Sequence, residues 1–193
     1  MTGSKGDGIR LYYSPNGNNV SENNVVNNVV GIHISLSSDN NTISQNNVTG
    51  NSRGVEFWDS SDNTVSENVI SNNGVGAYIS EASSNKFYHN NFMGNIPQVY
   101  FSTSGFGNIW DDGYPSGGNY WSDYNGTDAN HDGIGDTSYT IDGNNTDHYP
   151  LMVPYVIPEF PSFVFLPLFF IATLLAVIAH RKRGTKNRKT SSD

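Results

Sequence analysis

The chain of 193 residues contains no cysteine, which excludes disulfide bonds and metal sites built on thiolates. Basic residues are also scarce, because residues 1–180 carry four of them against 17 acids, a net charge of −13. Residues 181–193 reverse this balance, with six bases, one acid and a net charge of +5. The acidic, asparagine-rich body argues against a nucleic-acid partner, since phosphates call for clusters of Lys and Arg.

The repeat region also lacks any apolar stripe with the 3.6-residue period of an amphipathic helix. Short alternating runs take its place. In residues 54–58, Val55 and Phe57 alternate with Glu56, so the apolar side chains point to one face of a strand and Glu56 to the other. Asn-Asn, Asn-Gly and Ser-Ser-Asp-Asn segments separate the runs and favour tight turns.

A sequence repeat with a period of 22 or 23 residues relates these runs. The repeated positions are Val20, Ile43, Val65 and Phe87; Asn23, Asn46, Asn68 and Asn90; Val25, Val48, Ile70 and Phe92; Asn28, Asn51, Asn73 and Asn95; and Gly8, Gly31, Gly54 and Gly76. A constant period of this length indicates one supersecondary unit stacked on itself. The alternative, a disordered asparagine-rich tract, would not keep apolar residues in phase.

A repeat with about three short strands and no helix predicts an all-β fold, a right-handed parallel β-helix. Its rungs stack about 4.8 Å apart, so equivalent residues lie above one another. The repeated asparagines then form ladders, in which each side-chain amide bonds to the rungs above and below. We expect about four rungs between Asn18 and Phe101, with a partial rung at residues 8–11.

One long apolar run, residues 163–179, carries no charge. As a helix it would be about 26 Å long, close to the roughly 30 Å hydrocarbon layer of a bilayer. We therefore predict a transmembrane helix over residues 163–180. The basic residues 181–193 then form a cytoplasmic tail, which places the body outside the cell. A buried core helix is the alternative, and an all-β solenoid offers it no place.

The first residues contain no apolar signal segment, although an exterior protein needs an export route. Residues 8–15 are already in the repeat register, with no capping element before them. We therefore expect that this chain is part of a longer protein.

The in-phase repeat, as in residues 40–44 (NNTIS), resembles the right-handed parallel β-helix repeats of the NosD-type family. That family is often labelled periplasmic copper-binding, and it shares its repeat with carbohydrate-binding and sugar-hydrolase β-helices. Residues 118–124 (GNYWSDY) and 128–152 resemble the C-terminal portion of archaeal surface members. The resemblance implies the architecture and location but leaves the chemistry open, because β-helices host many activities.

A short motif precedes the apolar run. Pro158, Glu159 and Phe160, followed by that run and the basic tail, resemble the PEF-type C-terminal sorting signal. The resemblance implies an archaeosortase-like processing enzyme as a partner. Cleavage near Glu159 would replace the membrane helix by a covalent attachment.

A calcium loop is predicted where oxygen-bearing residues alternate before and after a glycine. The ligands would be Asp128, Asn130, Asp132 and Asp136 by side chain and Ile134 by its backbone carbonyl. Tyr139 stands where a bidentate Glu would complete the loop, so a further ligand such as Asp123 or Asp142 would be needed. A polar surface turn is the alternative.

Stacked rungs also create columns on the outer face of the solenoid. One column would hold Arg10, His33, Glu56, Tyr78 and Tyr100, and the next would hold Tyr12, Ser35, Trp58 and Ser80. A carboxylate beside an aromatic ring suits a sugar, so Arg10, Glu56, Trp58 and Tyr78 are the predicted glycan contacts. Hydrolysis needs a pair of carboxylates, and Glu56 with Asp59 or Asp62 is the candidate pair, with His33 nearby. An ordinary solvated face is the alternative.

Copper is implied only by the family label. It would need convergent His and Met ligands, and no two histidines share a rung, so copper is not favoured. The histidines are His33, His89, His131, His148 and His180. Among the glycosylation sequons, Asn125 and Asn144 are the favoured acceptors because they are predicted to lie in loops.

The predicted organisation is a β-helix over residues 1–101, an aromatic cap with the calcium loop over 102–155, and a sorting motif with linker over 156–162. The predicted function is non-catalytic: a membrane-anchored cell-surface protein that contacts glycans or envelope proteins and acts as a scaffold. Two alternatives stay open. One is a polysaccharide lyase or glycoside hydrolase acting on the outer solenoid face, and the other is a NosD-like copper-delivery accessory protein.

Overall fold

The computed structural model describes residues 6–103 and 107–157, all within one compact unit that ends at Ile157. These residues form sixteen strands and no helix. In chain order the strands are β1 (Asp7–Tyr12), β2 (Asn19–Ser21), β3 (Asn24–Val26), β4 (Val30–Ser35), β5 (Thr42–Ser44), β6 (Asn47–Thr49), β7 (Arg53–Trp58), β8 (Thr64–Ser66), β9 (Val69–Ser71), β10 (Val75–Ser80), β11 (Lys86–Tyr88), β12 (Asn91–Met93), β13 (Val99–Phe101), β14 (Tyr120–Trp121), β15 (Tyr139–Thr140) and β16 (Thr146–Asp147).

Three parallel sheets run along the molecule, each built from strands of successive rungs. The first sheet has the order β1-β4-β7-β10-β13, the second β2-β5-β8-β11, and the third β3-β6-β9-β12-β14. β15 and β16 pair antiparallel after the last rung. The prediction of an all-β solenoid is confirmed: the chain forms about four turns of a parallel β-helix of the right-handed type.

The predicted apolar columns form the core. Val20, Ile43, Val65 and Phe87 are paired in register along the second sheet, and Val25, Val48, Ile70 and Phe92 along the third. All eight side chains are buried. The 22- or 23-residue spacing in the sequence is therefore the length of one rung.

The predicted asparagine ladders are present at the corners between sheets. The Asn46 side chain donates from Nδ2 to Asn68 Oδ1 at 2.9 Å, and the Asn46 backbone amide bonds to the same oxygen. Asn46 Nδ2 also donates to the Val20 carbonyl of the preceding rung, so one side chain joins three rungs. A third ladder, not among the predicted columns, consists of Asn18, Asn41, Asn63, Asn85 and Asn108.

The repeated glycine begins the strands of the first sheet because the rungs approach closely there. A Cβ atom on Gly54 would lie 2.5 Å from the Gly76 carbonyl oxygen and 2.9 Å from the Asn73 amide nitrogen. No side chain fits at that separation, so the glycine column follows from contact between rungs.

Aromatic residues continue the core beyond the last rung. Trp110 stacks on Phe87 with ring centroids 4.4 Å apart, and Trp121 stacks on Phe92 at 4.5 Å. Tyr139 then covers Trp121 at 4.5 Å. The two apolar columns thus end in stacked rings that shield them from water.

Several predictions fall on residues outside the described part of the chain. They are the membrane helix over residues 163–180, the sorting motif Pro158, Glu159 and Phe160, and the tail over 181–193. Within residues 6–103 and 107–157, no helix has the length and apolar character needed to cross a membrane.

Candidate functional site

The outer face of the first sheet is the candidate site, and strand register builds it. Arg10, His33, Glu56, Tyr78 and Tyr100 occupy equivalent positions on β1, β4, β7, β10 and β13. Tyr12, Ser35, Trp58 and Ser80 form the neighbouring column. Both columns lie where they were predicted, because side chains two apart on a strand share a face and parallel pairing keeps them aligned.

His33 is held by an acid on the adjacent rung. Its Nδ1 lies 2.9 Å from Asp7 Oδ2, and the same carboxylate lies 3.5 Å from Arg10 Nε. A carboxylate only accepts hydrogen bonds, so this contact assigns a proton to Nδ1, and Nε2 is an acceptor whenever the ring carries that one proton. His33 is 8% exposed, and Nε2 is buried with no hydrogen-bond partner.

Glu56 likewise has one side-chain atom held by a hydrogen bond and one atom without a partner. Its Oε1 accepts a 2.7 Å hydrogen bond from Arg53, whereas Oε2 is buried with no partner. Glu56 is 7% exposed and pairs with His33 in the register of β4 and β7. Two acceptor atoms without donors therefore lie on neighbouring rungs.

This arrangement is unfavourable in the free protein. A buried polar atom that forms no hydrogen bond costs about 1–3 kcal/mol, and more when the group is charged. Native structures have few such atoms, and they commonly mark a functional site or a place for an external donor. His33 and Glu56 would therefore be satisfied by a ligand group that donates hydrogen bonds, such as a hydroxyl group.

Exposed aromatic rings border this pair. Trp58 is 43% exposed, Tyr12 is 42% exposed and Tyr100 is 47% exposed. Among the described residues, no aromatic or cationic side chain stacks on Trp58, so its indole is available to a ligand.

Tyr78 has less ring surface to offer than its neighbours. The Arg53 guanidinium lies 3.8 Å from the Tyr78 ring centroid, and Tyr100 stacks on Tyr78 at 5.3 Å. Arg10 similarly covers Tyr12, with 4.2 Å between the guanidinium carbon and the ring centroid. Of the four predicted glycan contacts, Trp58 and Glu56 therefore have the accessible ring and the free acceptor.

The predicted catalytic residues are only partly brought together. His33 and Glu56 are neighbours, whereas Asp59 follows β7 in a left-handed turn with φ of 48° and is exposed. No hydrogen bond or ion pair joins the Asp59 carboxylate to Glu56 or to His33. The face thus offers a histidine beside a carboxylate.

The predicted calcium loop forms a compact turn, with φ of 86° at Gly133. Asp128 Oδ2 accepts from the Gly133 amide at 2.9 Å, and Asp136 Oδ2 accepts from the Ala129 amide at 2.8 Å. Asp132 Oδ1 accepts from the Ile134 amide, and this hydrogen bond lowers the pKa of the Asp132 carboxyl.

The two residues considered as a further calcium ligand are engaged elsewhere. Asp123 bonds to Tyr139, and Asp142 bonds to the amides of Asn144 and Asn145. Within the described part of the chain, no three His, Cys, Asp or Glu side chains are grouped so as to hold a metal ion. Calcium in this loop stays a prediction.

A copper site would need several histidine and methionine side chains to converge. The imidazoles of His33, His89 and His148 bond to Asp7, to the Ser116 carbonyl and to Asp111, in three separate places. No two imidazoles contact each other within residues 6–103 and 107–157. The donor set of this part of the chain does not fit a copper ion, which requires convergent nitrogen and sulfur ligands.

Asp147 is a buried acid that the sequence did not single out. Its Oδ2 accepts from the Asn119 amide at 2.7 Å and from Trp121 Nε1 at 2.9 Å, and its Oδ1 accepts from the Tyr149 amide at 3.0 Å. Burial raises the pKa of Asp147 to about 6, against the lowering effect of these hydrogen bonds. Asp147 ends the ladder that runs through Asn119, outside the repeats, so no periodic signal could have revealed it.

Both favoured glycosylation acceptors, Asn125 and Asn144, are exposed. Their exposure is compatible with modification, which stays a prediction.

A protein-family model matches the greater part of the chain. The model described as periplasmic copper-binding protein (NosD) matches residues 1–126, about two thirds of the chain. No curated protein matches the chain. The match spans all the described strands of the three parallel sheets and with them the outer face of the first sheet.

Proposed function

The chain belongs to the NosD family, a periplasmic or surface family of β-helix proteins, and on this premise we propose that it binds a glycan on the outer face of its first sheet without turning it over. The role would be that of a rigid scaffold at the cell surface, anchored in the membrane through residues 163–180 and contacting glycans or envelope proteins. The C-terminal sorting motif and its archaeosortase-like partner belong to the same proposal.

One observation carries the glycan proposal. The two acceptor atoms without donors, His33 Nε2 and Glu56 Oε2, lie on a face whose neighbouring column presents the open Trp58 ring. Both acceptor atoms are buried, so a glycan would reach them by displacing the groups that cover them. Its hydroxyls would then supply the missing donors, and an indole ring packs well against the C–H face of a sugar. The hydroxyl groups of one saccharide would thus bond to His33 and Glu56, and its C–H face would pack against Trp58.

A glycan array followed by calorimetric titration of the best binder tests this. Trp58→Ala should weaken binding by about tenfold or more, since it removes the stacking ring. Tyr114→Ala is the matched control, because Tyr114 is 62% exposed and lies beyond the last rung. Equal binding by wild type and Trp58→Ala, or the same loss in Tyr114→Ala, would contradict the proposal.

A lyase or hydrolase is the second candidate, and the Asp7–His33 contact favours it. An acid that orients one imidazole nitrogen while the other is free is an arrangement suited to general base catalysis, and Glu56 is its neighbour. Release of reducing sugar or unsaturated product from uronate polymers, abolished by Glu56→Gln, would establish this activity. Binding without any product would support the non-catalytic role.

Copper delivery remains the function suggested by the family description, and the described residues give it no support. A copper titration followed by absorption and electron paramagnetic resonance tests it directly. Stoichiometric binding that is lost in His33→Ala would show a site that the described geometry does not predict.

A further inference from the structure

A cavity of about 390 Å³ lies between the last rung and the segment that caps it. Its polar wall consists of Gln98, Ser122, Asp123 and Tyr139, and Val99 and Ile141 contribute apolar surface. The volume falls within the range of about 300–1,000 Å³ that small-molecule sites occupy. The cavity is separate from the outer face of the first sheet.

An asparagine ladder leads into this cavity. The ladder through Asn73 and Asn95 ends on Gln98, whose Oε1 accepts from Asn95 Nδ2 at 2.9 Å. Gln98 is 5% exposed, and its Nε2 donates to Ser122 Oγ at 3.0 Å and to Asp123 Oδ1 at 3.2 Å. These hydrogen bonds fix the position of Gln98. Gln98 in turn orients the side chains of Ser122 and Asp123.

Ser122 retains an unused donor. Its Oγ accepts from the Gly94 amide at 3.0 Å as well as from Gln98, so both lone pairs are occupied. A hydroxyl group has one proton to donate, and no described residue accepts it. Ser122 therefore offers its O–H to a ligand.

Asp123 retains unused acceptors. The carboxylate accepts from Gln98 at 3.2 Å and from the Tyr139 hydroxyl at 3.0–3.1 Å, and it forms no ion pair with any described residue. Burial and the adjacent Asp123 charge raise the pKa of Tyr139, so its hydroxyl stays protonated and continues to donate. Asp147 at the end of the other ladder is fully buried and accepts from three groups, whereas Asp123 is exposed.

From this pattern we infer that the cavity binds a small neutral polyol, such as a single sugar unit. One ligand hydroxyl accepts from Ser122, and a neighbouring hydroxyl donates to Asp123. The apolar Val99 and Ile141 side chains contact the ligand's C–H groups. An ammonium ligand would satisfy Asp123 but leave the Ser122 donor unmet, so the paired donor and acceptor favour hydroxyl groups.

Nuclear magnetic resonance titration of the full chain with glucose, N-acetylglucosamine and myo-inositol tests the inference, in a buffer free of sugar-headed detergent. At least one of these probes should saturate a single site and shift the signals of Gly94, Gln98, Ser122 and Tyr139. Asp123→Asn should weaken that binding about tenfold, because a hydrogen bond to a charged group is lost. Glu22→Gln, which also neutralises an exposed carboxylate, on an earlier corner, should bind as wild type does.

Ser122→Ala provides a second variant should Asp123→Asn unfold, and it should also weaken binding. The inference is overturned if none of the three probes shifts these signals, if Ser122→Ala and a folded Asp123→Asn bind as tightly as wild type, or if ethylammonium binds more tightly than every polyol. Trp58→Ala should leave this titration unchanged, so its outcome and that of the outer-face proposal are independent.

Discussion

At the scale of single residues, Glu56 combines a buried charge with an oxygen that accepts no hydrogen bond. Such a group destabilises the free protein and is tolerated where a ligand supplies the donor. On the neighbouring rung, His33 also has a buried atom without a hydrogen-bond partner, its Nε2. Stability and binding should therefore respond in opposite directions to changes at this pair.

Glu56→Gln should raise the free energy of unfolding by about 1 kcal/mol while weakening glycan binding, because a neutral amide is cheaper to bury and can still bond to Arg53. Urea unfolding monitored by tryptophan fluorescence measures the first effect and calorimetry the second. Glu81→Gln is the control, since Glu81 is exposed, and it should change neither quantity. A loss of stability in Glu56→Gln would contradict this expectation and show that the ion pair with Arg53 outweighs the cost of the unpartnered oxygen.

Asp147 should give the stability a distinctive pH dependence. Its pKa in the folded protein is about 6, above the ordinary value of 3.8, so the folded state binds more protons between these values. The free energy of unfolding should therefore fall by about 3 kcal/mol as the pH rises from about 4 to about 6.

Chemical denaturation at a series of pH values measures this slope, and Asp147→Asn should remove it. Asp142→Asn is the comparison, because Asp142 also accepts backbone hydrogen bonds but is only partly buried. A stability that rises over this pH interval in the wild type would show that the hydrogen bonds from Asn119, Trp121 and Tyr149 outweigh burial.

At the scale of the rung, the ladder asparagines hold successive turns together. Asn68 donates to Ile43 and Ser66 carbonyls and to Asn90, and its oxygen accepts from the Asn46 backbone and side chain. All of these groups are buried, so none of them finds water when the amide is removed.

Asn68→Ala should lower the free energy of unfolding by about 3 kcal/mol or more, since several buried groups lose their partner at once. Asn47→Ala makes the same chemical change at an exposed position one strand away, and it should cost less than about 1 kcal/mol. Equal losses in the two variants, measured by thermal and urea unfolding, would show that the buried ladders contribute no more than exposed hydrogen bonds.

Periodicity predicted the rungs, the core columns and two ladders, because a parallel solenoid converts sequence spacing directly into vertical contact. The third ladder was not among the predicted columns because Asn18 and Asn41 each adjoin a second asparagine, and residue type alone does not decide which one faces inward. Left-handed conformations at Glu22, Gln45 and Glu67 were also missed. The stacked corner imposes them, against the ordinary preference for Asn or Gly.

The candidate site, too, could be predicted from the sequence only in part. Register placed His33 next to Glu56 as the spacing predicted. The role of Asp7 was not predicted, because its contact depends on how a side chain reaches across to the next strand. No periodic pattern in the sequence could predict the cavity beside Asp123, because the cavity lies between the last rung and the irregular segment that follows it.

At the scale of the whole molecule, each rung contacts only its neighbours, so the ends must be closed by other means. Trp110, Trp121 and Tyr139 close one end by extending the core columns. The polar outer face belongs to the first sheet and does not take part in closing the end. A glycan could therefore lie along several rungs without disturbing the core.

Membrane attachment is a prediction at this scale. Cell fractionation should find the full chain with the membranes, and a chain ending at residue 157 should be released in soluble form, because residues 163–180 supply the apolar length. A shortening that removes only residues 184–193, and so keeps the apolar run and the basic residues 181–183, serves as the control for loss of the tail. Membrane association of the chain ending at 157 would place the attachment elsewhere.

The most direct test of the outer-face proposal is the nuclear magnetic resonance spectrum of the His33 imidazole nitrogens, recorded before and after addition of a glycan identified on the array. The geometry predicts a proton on Nδ1, bonded to Asp7, and a change in the Nε2 shift when a sugar hydroxyl binds. A proton on Nε2 in the free protein, or an Nε2 signal unchanged at saturating glycan, would contradict the account.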